Sequence, residues 1–209
     1  MFKNRQQAGR LLAQHLRSWA GARDALVVAV PRGGVITARE VAEALKLPLE
    51  IVVVRKVGFP GNPELALGAV DLNGTVTLNE ELSAERIDPV FLEQEIKEQL
   101  LEARRREKLY REGRKPLSIN NQRIILVDDG IATGQTLKAA INYLRQEGAK
   151  EVILAAPVAA PDSAKRLAAL ADRTVILEKP LSFAAVGQFY QDFPQVTDEE
   201  VRAALKSEQ

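Results

Sequence analysis

Two adjacent aspartates, Asp128 and Asp129, end an apolar run in the stretch ILVDDGIATGQT, which covers residues 125–136. Neighbouring carboxylates repel each other, and a buried pair is costly unless a cation or a hydrogen-bond donor meets it. Carboxylate oxygens accept hydrogen bonds from sugar hydroxyls and coordinate hydrated Mg²⁺. The pair is therefore a candidate site for a diol and a magnesium ion. A solvated acid pair beside an N-capped helix is the structural alternative.

The loop that follows the acid pair suits a phosphate monoester. Gly130 and Gly134 allow tight turns and a close approach of the backbone to a ligand. Consecutive amide N–H groups in such a turn, and the N-terminus of the following helix, both favour anions. The hydroxyls of Thr133 and Thr136 add donors. Phosphate beside a diol and a metal describes a ribose 5-phosphate. The loop lacks the lysine of a Walker A motif and the spacing of a G-x-G-x-x-G motif.

Two other segments place cations after apolar runs. In the stretch VPRGG, Arg32 offers a permanent planar cation, and Gly33 and Gly34 expose backbone donors at the start of a helix. In the stretch VVVRKVG, Arg55 and Lys56 leave a predicted strand together. Cations that face an acid pair across the carboxyl edge of a sheet suit a polyanion between them. A surface turn with an exposed arginine and a surface basic pair are the structural alternatives.

The order of apolar strand, acid pair and Gly/Thr loop resembles the phosphoribosyl-pyrophosphate (PRPP) motif of the type I phosphoribosyltransferases. The resemblance implies Mg²⁺-dependent transfer of 5-phosphoribosyl from PRPP to a nucleobase or a similar nitrogen acceptor, with release of pyrophosphate. The residues implied to be catalytic are Arg32, Arg55, Lys56, Asp128 and Asp129, of which Asp128 and Asp129 would also bind the metal. The residues implied to contact PRPP are Arg32, Gly33, Gly34, Arg55, Lys56, Asp128, Asp129, Gly130, Ile131, Ala132, Thr133, Gly134 and Thr136. The whole chain is similar to a group of predicted bacterial phosphoribosyltransferases, for which the resemblance names no acceptor.

The resemblance carries further expectations. An unusual, often cis, non-proline peptide is expected at 32–33 or within 31–34. The Gly/Pro-rich segment 58–80 matches the position of a flexible lid that would exclude water, and a fixed β-hairpin is the alternative for its distal half. Purine-specific 6-oxo enzymes carry an acid where this chain has Ala132, so hypoxanthine or guanine chemistry is disfavoured. No general base is obvious, and Glu64 in the lid is a speculative choice.

Apolar periodicity predicts the elements that position these residues. Val/Ile/Leu-rich runs predict buried strands at 25–30, 49–54, 123–127, 151–158 and 174–178. Amphipathic segments between them predict helices, including 35–46 and 136–148, with Gly148 at a helix C-cap. The alternation predicts an α/β fold, a doubly wound and mostly parallel sheet with helices on both faces, in one domain of residues 1–209.

Three regions depart from this alternation. The stretch DLNG predicts a hairpin turn inside the lid segment, and residues 88–115 predict an inserted long helix with Asp88 as its N-cap. Residues 179–209 are a candidate C-terminal hood, in which a TDEE stretch predicts a capping box. Four of the ten aromatic residues lie there: Phe183, Phe189, Tyr190 and Phe193. They would either stack on an acceptor base or dock the C-terminal tail.

Composition excludes several functional classes. The 209 residues include no cysteine and one histidine, His15, which is predicted to be a solvated residue of an N-terminal helix. Disulfides and thiol nucleophiles are therefore excluded, and a His-based triad or multi-His metal site is unsupported. No apolar run approaches the roughly 18 residues of a membrane span, and the N-terminus lacks a signal-peptide core. We therefore expect a cytoplasmic protein without membrane contact, and the family suggests a homodimer.

The distribution of charge leaves a second function open. The net charge is +1, which gives no overall attraction to nucleic acid. The stretch RRREKLYREGRK, residues 104–115, nevertheless has seven basic and two acidic side chains. It suggests an alternative function as a non-catalytic PRPP-sensing regulator that binds nucleic acid. A solvated helix face or an oligomer interface is the more ordinary explanation, so nucleic acid is not the expected partner.

Overall fold

The computed structural model describes residues 1–79 and 87–206. The strands in this part of the chain are β1 (Ala25–Ala29), β2 (Leu49–Ile51), β3 (Arg55–Phe59), β4 (Asn62–Val70), β5 (Val76–Leu78), β6 (Arg123–Val127), β7 (Glu151–Val158) and β8 (Arg173–Glu178). The helices are α1 (Arg5–His15), α2 (Gly33–Leu45), α3 (Pro89–Arg111), α4 (Gln135–Gln146), α5 (Pro161–Ala168) and α6 (Asp198–Lys206). Short 3₁₀ turns lie at Arg17–Trp19 and Val186–Phe189.

A five-stranded parallel sheet forms the centre of the molecule, with the strand order β2-β1-β6-β7-β8. Successive side chains of a strand point to opposite faces, so the continuous apolar strands feed two cores. Val27 and Ile125 pack in one core with residues of α1, α2 and α6. Val28 and Leu126 pack in the other core with residues of α4 and α5. The predicted doubly wound α/β sheet, with helices on both faces, is confirmed.

The predicted strand 49–54 is too long. Strand β2 ends at Ile51, because its partner β1 ends at Ala29, which pairs with Ile51 in the last register position. Residues 52–54 stay buried but form no further strand. The chain then enters a separate antiparallel sheet at Arg55, so Arg55 and Lys56 begin a strand rather than leave one.

The antiparallel sheet has the order β3-β4-β5 and includes most of the segment predicted to be a lid. Its β4–β5 turn is held by Asp71, whose Oδ1 accepts hydrogen bonds from the backbone N–H of Asn73 and of Thr75, each at 2.9 Å. Gly74 has a φ of +85°, which favours glycine. The predicted DLNG turn is confirmed, whereas closure of a lid stays a prediction. Residue 80 and the side chain of Glu64 lie outside the described part of the chain.

Helix α3 (Pro89–Arg111) forms within the range 88–115 predicted for a long helix, and it ends at Arg111, where Glu112 takes a left-handed conformation with a φ of +47°. The side chain of Asp88 accepts a hydrogen bond from the N–H of Val90 at 3.0 Å, and Pro89 is the first helical residue. The helix packs its apolar face on the antiparallel sheet, in a cluster that includes Val57 and Leu67. Although α3 has 23 residues, no helix in the part of the chain described above is both long and apolar enough to cross a membrane.

Helix α6 begins with the predicted capping box. The N–H of Thr197 donates to Oε2 of Glu200 at 2.8 Å, and the N–H of Glu200 donates to Oγ1 of Thr197 at 3.1 Å. These bonds satisfy two backbone donors that the helix itself cannot pair. Val201 and Leu205 then place α6 in the core beside α2.

Candidate active site

The loops that follow β1 and β6 meet, because these strands are neighbours paired from Ala25 to Ala29. A Cβ atom on Gly33 would overlap Oδ2 of Asp129. A Cβ atom on Gly34 would lie 2.9 Å from Oδ1 of Asp128. The two glycines therefore allow the first turn of α2 to lie directly against the acid pair. The peptide bond between Pro31 and Arg32 is cis, inside the 31–34 region where such a bond was expected.

The acid pair is buried, and its two aspartates have different hydrogen-bond partners. Oδ2 of Asp129 accepts a 2.6 Å hydrogen bond from Nε of Arg5, and the backbone oxygen of Asp129 accepts one from the hydroxyl of Tyr190 at 2.6 Å. Oδ1 of Asp128 accepts from the N–H of Asp129 at 2.9 Å. Burial raises the pKa of Asp128 well above its ordinary value, and the neighbouring Asp129 carboxylate raises it further. Burial also raises the pKa of Asp129, and the ion pair with Arg5 opposes that rise.

The loop that follows the acid pair is held by hydrogen bonds to the end of β7 and to α5. The N–H of Ile131 donates to the oxygen of Val158 at 2.9 Å, and Oγ of Ser163 donates to the oxygen of Ala132 at 2.6 Å. Gly134 takes the N-cap position of α4 with a φ of +76°, a conformation that glycine adopts at little cost. The helix therefore points its N-terminus, with its unpaired N–H groups, towards the loop.

A cavity of about 170 Å³ lies over this loop. Its lining residues are Asp128, Gly130, Ile131, Ala132, Thr133, Gly134, Thr136, Leu137 and Val186. Its lining therefore combines an aspartate with the loop and the start of α4. The structure therefore brings Asp128 together with the loop residues predicted from the sequence, whereas Asp129 does not line this cavity.

The predicted cations Arg32, Arg55 and Lys56 are not among the residues that line this cavity. Nη1 of Arg32 lies 3.8 Å from Oδ1 of Asp198, and Nε of Arg55 donates to Oε1 of Gln99 at 3.0 Å. Burial lowers the pKa of Arg55, and the nearby Arg106 and Arg32 guanidinium groups lower it further. Several guanidinium groups held close together repel one another, so the arrangement favours a bound polyanion. Lys56 is the next residue of β3 and is half-buried.

The basic stretch 104–115 is largely engaged inside the protein. Arg105 and Arg106 each bond Glu102 on the same helix, and Arg111 bonds the buried carboxylate of Glu50. Nη1 of Arg114 donates to the oxygen of Leu205 at 3.1 Å. These contacts favour a structural role for the stretch and disfavour its use as a nucleic-acid surface.

Glu102 provides a pH-dependent prediction. Hydrogen bonds from Arg105 and Arg106 lower its pKa from 4.5 to about 2. A lowered pKa adds stability that is present above pH 4.5 and is lost as the pH falls towards 2. We expect Glu102→Gln to cost about 0.5–1 kcal/mol at pH 7, since the pair is partly solvated. Urea unfolding should show this difference shrinking steadily from pH 4.5 to 2.5, and a difference that does not change with pH would contradict it. Glu93→Gln, on the exposed side of α3, controls for loss of a charge.

The aromatic residues of the C-terminal segment pack against the N-terminus. The N–H of Phe2 donates to the oxygen of Phe189 at 2.7 Å, and the ring of Phe2 lies 5.4 Å from that of Tyr190. The ring centroids of Phe193 and Tyr190 lie 4.8 Å apart. The guanidinium carbon of Arg5 lies 3.6 Å from the ring centroid of Phe193. These contacts match the predicted docking of the tail. Stacking on an acceptor base stays a prediction, and Val186 is the residue of this segment that lines the cavity.

The residue that sequence reasoning missed at this site is Arg5. It precedes Ala8 and Leu12 by three and seven residues and so lies on the buried stripe of α1. A cation on the buried stripe of a helix requires a buried partner. The position of Arg5 on that stripe is therefore the sequence signal that could have identified it. His15 is exposed at the end of α1, as predicted.

Comparisons with known proteins agree with this geometry. The chain is 42% identical over 206 residues to Rv0571c of Mycobacterium tuberculosis, provisionally named a phosphoribosyl transferase. The match covers 98% of this chain and 46% of that protein, so the chain spans about half the length of the curated relative. It is 44% identical to TT1426 from Thermus thermophilus, whose crystal structure superposes with a TM-score of 0.82 over 98% of this chain and 97% of that one. A family model described as a phosphoribosyl transferase domain matches residues 3–193. The chain therefore belongs to the phosphoribosyl transferase domain family.

Proposed function

We propose that this chain is a Mg²⁺-dependent phosphoribosyltransferase that binds PRPP and transfers 5-phosphoribosyl to a nucleobase or a similar nitrogen acceptor. One observation carries the proposal. The cavity over the loop is lined both by Asp128 and by residues at the N-terminus of α4, including Gly134 and Thr136. A ribose 5-phosphate needs acceptors for its hydroxyls and donors for its phosphate, and this cavity offers both.

Each group of residues then has a role that matches its chemistry. The backbone N–H groups of 132–134 and the hydroxyls of Thr133 and Thr136 would bind the 5-phosphate. Asp128 would accept hydrogen bonds from the ribose diol. Arg32, Arg55 and Lys56 would meet the pyrophosphate, since each carries a positive charge suited to a polyanion. The N–H groups of Gly33 and Gly34 lie at the same edge, at the N-terminus of α2.

The transfer breaks the bond between C1 of the ribose and the pyrophosphate oxygen, and forms a bond from C1 to the acceptor nitrogen. The electron pair of the broken bond leaves with pyrophosphate, and the acceptor nitrogen gives up a proton. Positive charge develops on the sugar ring, as in glycoside hydrolysis. Catalysis by this chain would then consist of aligning the two reactants, stabilising the departing anion with the arginines, and keeping Asp128 beside the ring.

The donor set fits magnesium only together with the substrate. Among residues 1–79 and 87–206, no group of three or more His, Cys, Asp or Glu side chains is arranged to hold a metal ion. Mg²⁺ commonly binds through one or two carboxylates, water and the phosphates of its substrate. Asp128 would be that carboxylate, and bound Mg²⁺ would neutralise part of the charge of the pyrophosphate.

Thermal unfolding with PRPP and Mg²⁺ tests the proposed function. At a hundredfold excess over its dissociation constant, a ligand stabilises the folded state by about 2.7 kcal/mol, or roughly 5 to 10 °C for a domain of this size. We expect this shift for the wild type and its loss in Asp128→Asn. No shift in the wild type would contradict PRPP binding. Release of pyrophosphate with one acceptor from a panel of nucleobases and simple amines would identify the reaction, and binding without turnover would support the regulator instead.

A further inference from the structure

The two aspartates of the PRPP motif face different partners. Asp128 lines the cavity, whereas the carboxylate of Asp129 points to Arg5, with Nε and Oδ2 2.6 Å apart. The side chains of Arg5 and Asp129 are only 9% and 14% exposed. An ion pair this buried is strongly coupled, because solvent screens it little.

Arg5 is held by three contacts besides its place in α1. Its Nε donates to Asp129, its Nη1 donates to the oxygen of Pro194 at 2.8 Å, and its guanidinium lies 3.6 Å from the ring centre of Phe193. The planar guanidinium satisfies all three contacts at once, which an ammonium group could not do as well. Arg5 is therefore a fixed internal cation rather than a mobile surface one.

Asp129 is held equally firmly from its other sides. The first turn of α2 packs against its carboxylate at Gly33, and Tyr190 donates to its backbone oxygen at 2.6 Å. A ligand that bound Oδ2 of Asp129 would have to displace Arg5 and leave that cation buried without its partner. The loss of a partner from a buried pair is strongly destabilising. Asp128 can meet a ligand without such a loss.

We infer that Arg5 is a positioning residue, which neutralises Asp129 from inside the protein and reserves Asp128 as the carboxylate that meets the ribose. This inference rests on the proposed PRPP site and divides the roles within it. Without Arg5, two adjacent buried carboxylates would carry two negative charges, and both would compete for protons and for the cations of the ligand. With Arg5 in place, the carboxylate of Asp128 alone is left to meet a ligand in the cavity.

Calorimetric titration with PRPP and Mg²⁺ tests the division of roles, because it measures the dissociation constant of the folded protein rather than its stability. We expect Asp128→Asn to weaken PRPP binding at least 30-fold and Asp129→Asn to weaken it less than threefold. Arg5→Met leaves Asp129 unpaired, so we expect binding to weaken about tenfold. The double variant Arg5→Met with Asp129→Asn removes that unpaired charge and should recover to within threefold of the wild type.

Leu16→Ala is the matched control. Leu16 is fully buried at the end of α1, so its truncation loosens the same helix without touching the ion pair. It should lower stability and leave the dissociation constant within twofold. A purely structural role for Arg5 predicts that Arg5→Met behaves like this control, and that result would overturn the inference. Loss of binding in Asp129→Asn equal to that in Asp128→Asn would also overturn it. Failure of the wild type to bind PRPP would instead remove the proposed function.

Discussion

Gly33→Ala is expected to destabilise the protein and to remove PRPP binding, although alanine is ordinarily the better helix former. In the first turn of α2, the new Cβ would overlap Oδ2 of Asp129 and lie 3.0 Å from Nε of Arg5. Neither group can move without breaking a buried ion pair. Replacing glycine by alanine in a helix gains up to about 1 kcal/mol, whereas overpacking costs about 1–3 kcal/mol and a broken buried pair more. We expect a net loss of about 3 kcal/mol in urea unfolding.

Alanine substitutions at two other glycines provide comparisons for this prediction. Gly34→Ala should cost less, because its Cβ would meet Asp128 at 2.9 Å and the backbone oxygen of Val127 at 3.1 Å. Gly9→Ala should lower stability where α1 crosses α2, since its Cβ would lie 2.5 Å from the oxygen of Thr37. The folded Gly9→Ala protein should still bind PRPP. Wild-type stability and PRPP affinity in Gly33→Ala would show that the acid pair does not lie against the loop as described.

Arg111→Met should produce the second large effect, away from the site. Glu50 is 3% exposed on β2, and its carboxylate accepts two hydrogen bonds from Nη1 of Arg111, at 2.9 and 3.0 Å. The N–H of Leu117 adds a third hydrogen bond at 2.7 Å. Removing Arg111 leaves a buried carboxylate without its cation, which typically costs about 3–5 kcal/mol. Urea unfolding at pH 7 measures this loss.

The matched control is Arg104→Met, because Arg104 is exposed on the same helix. Surface substitutions of this kind usually change stability by less than about 0.5 kcal/mol. Adding Glu50→Gln to Arg111→Met should recover part of the loss, since the unpaired charge is removed. A loss below about 1 kcal/mol in Arg111→Met would mean that water reaches and solvates Glu50.

The central sheet and the position of the Gly/Thr loop after β6 could be predicted because their signals are local. The runs at β6 and β7 contain unbroken apolar residues with turn signals at both ends, and their predicted bounds match the structure. The run 49–54 looks the same in sequence, yet only 49–51 pair as a strand. Whether a strand continues depends on the length of its neighbour, which is a tertiary property.

The partners of the acid pair could not be predicted in the same way. Arg5 and Asp129 are 124 residues apart, and the sequence around each residue gives no indication of the other. The basic stretch 104–115 shows a related difficulty. Its charge suggested a polyanion partner, but helical geometry distributes its arginines among Glu102, Glu50 and the end of α6. The count of charges is a property of composition, whereas their pairing depends on which helix face each side chain occupies.

The contact of Arg5 with Asp129, Pro194 and Phe193 has a consequence for the order in which the molecule is assembled. During synthesis Arg5 emerges first, the acid pair follows much later, and the ring of Phe193 and the oxygen of Pro194 emerge after both. A nascent chain that ends before residue 190 can pair β1 with β6, but it lacks the residues that hold Arg5 against Asp129 from behind. Such a chain could form its sheet on the ribosome while Asp129 still lacked a fixed counter-ion. The complete surroundings of Arg5 would thus form only after residues 193 and 194 have been synthesised.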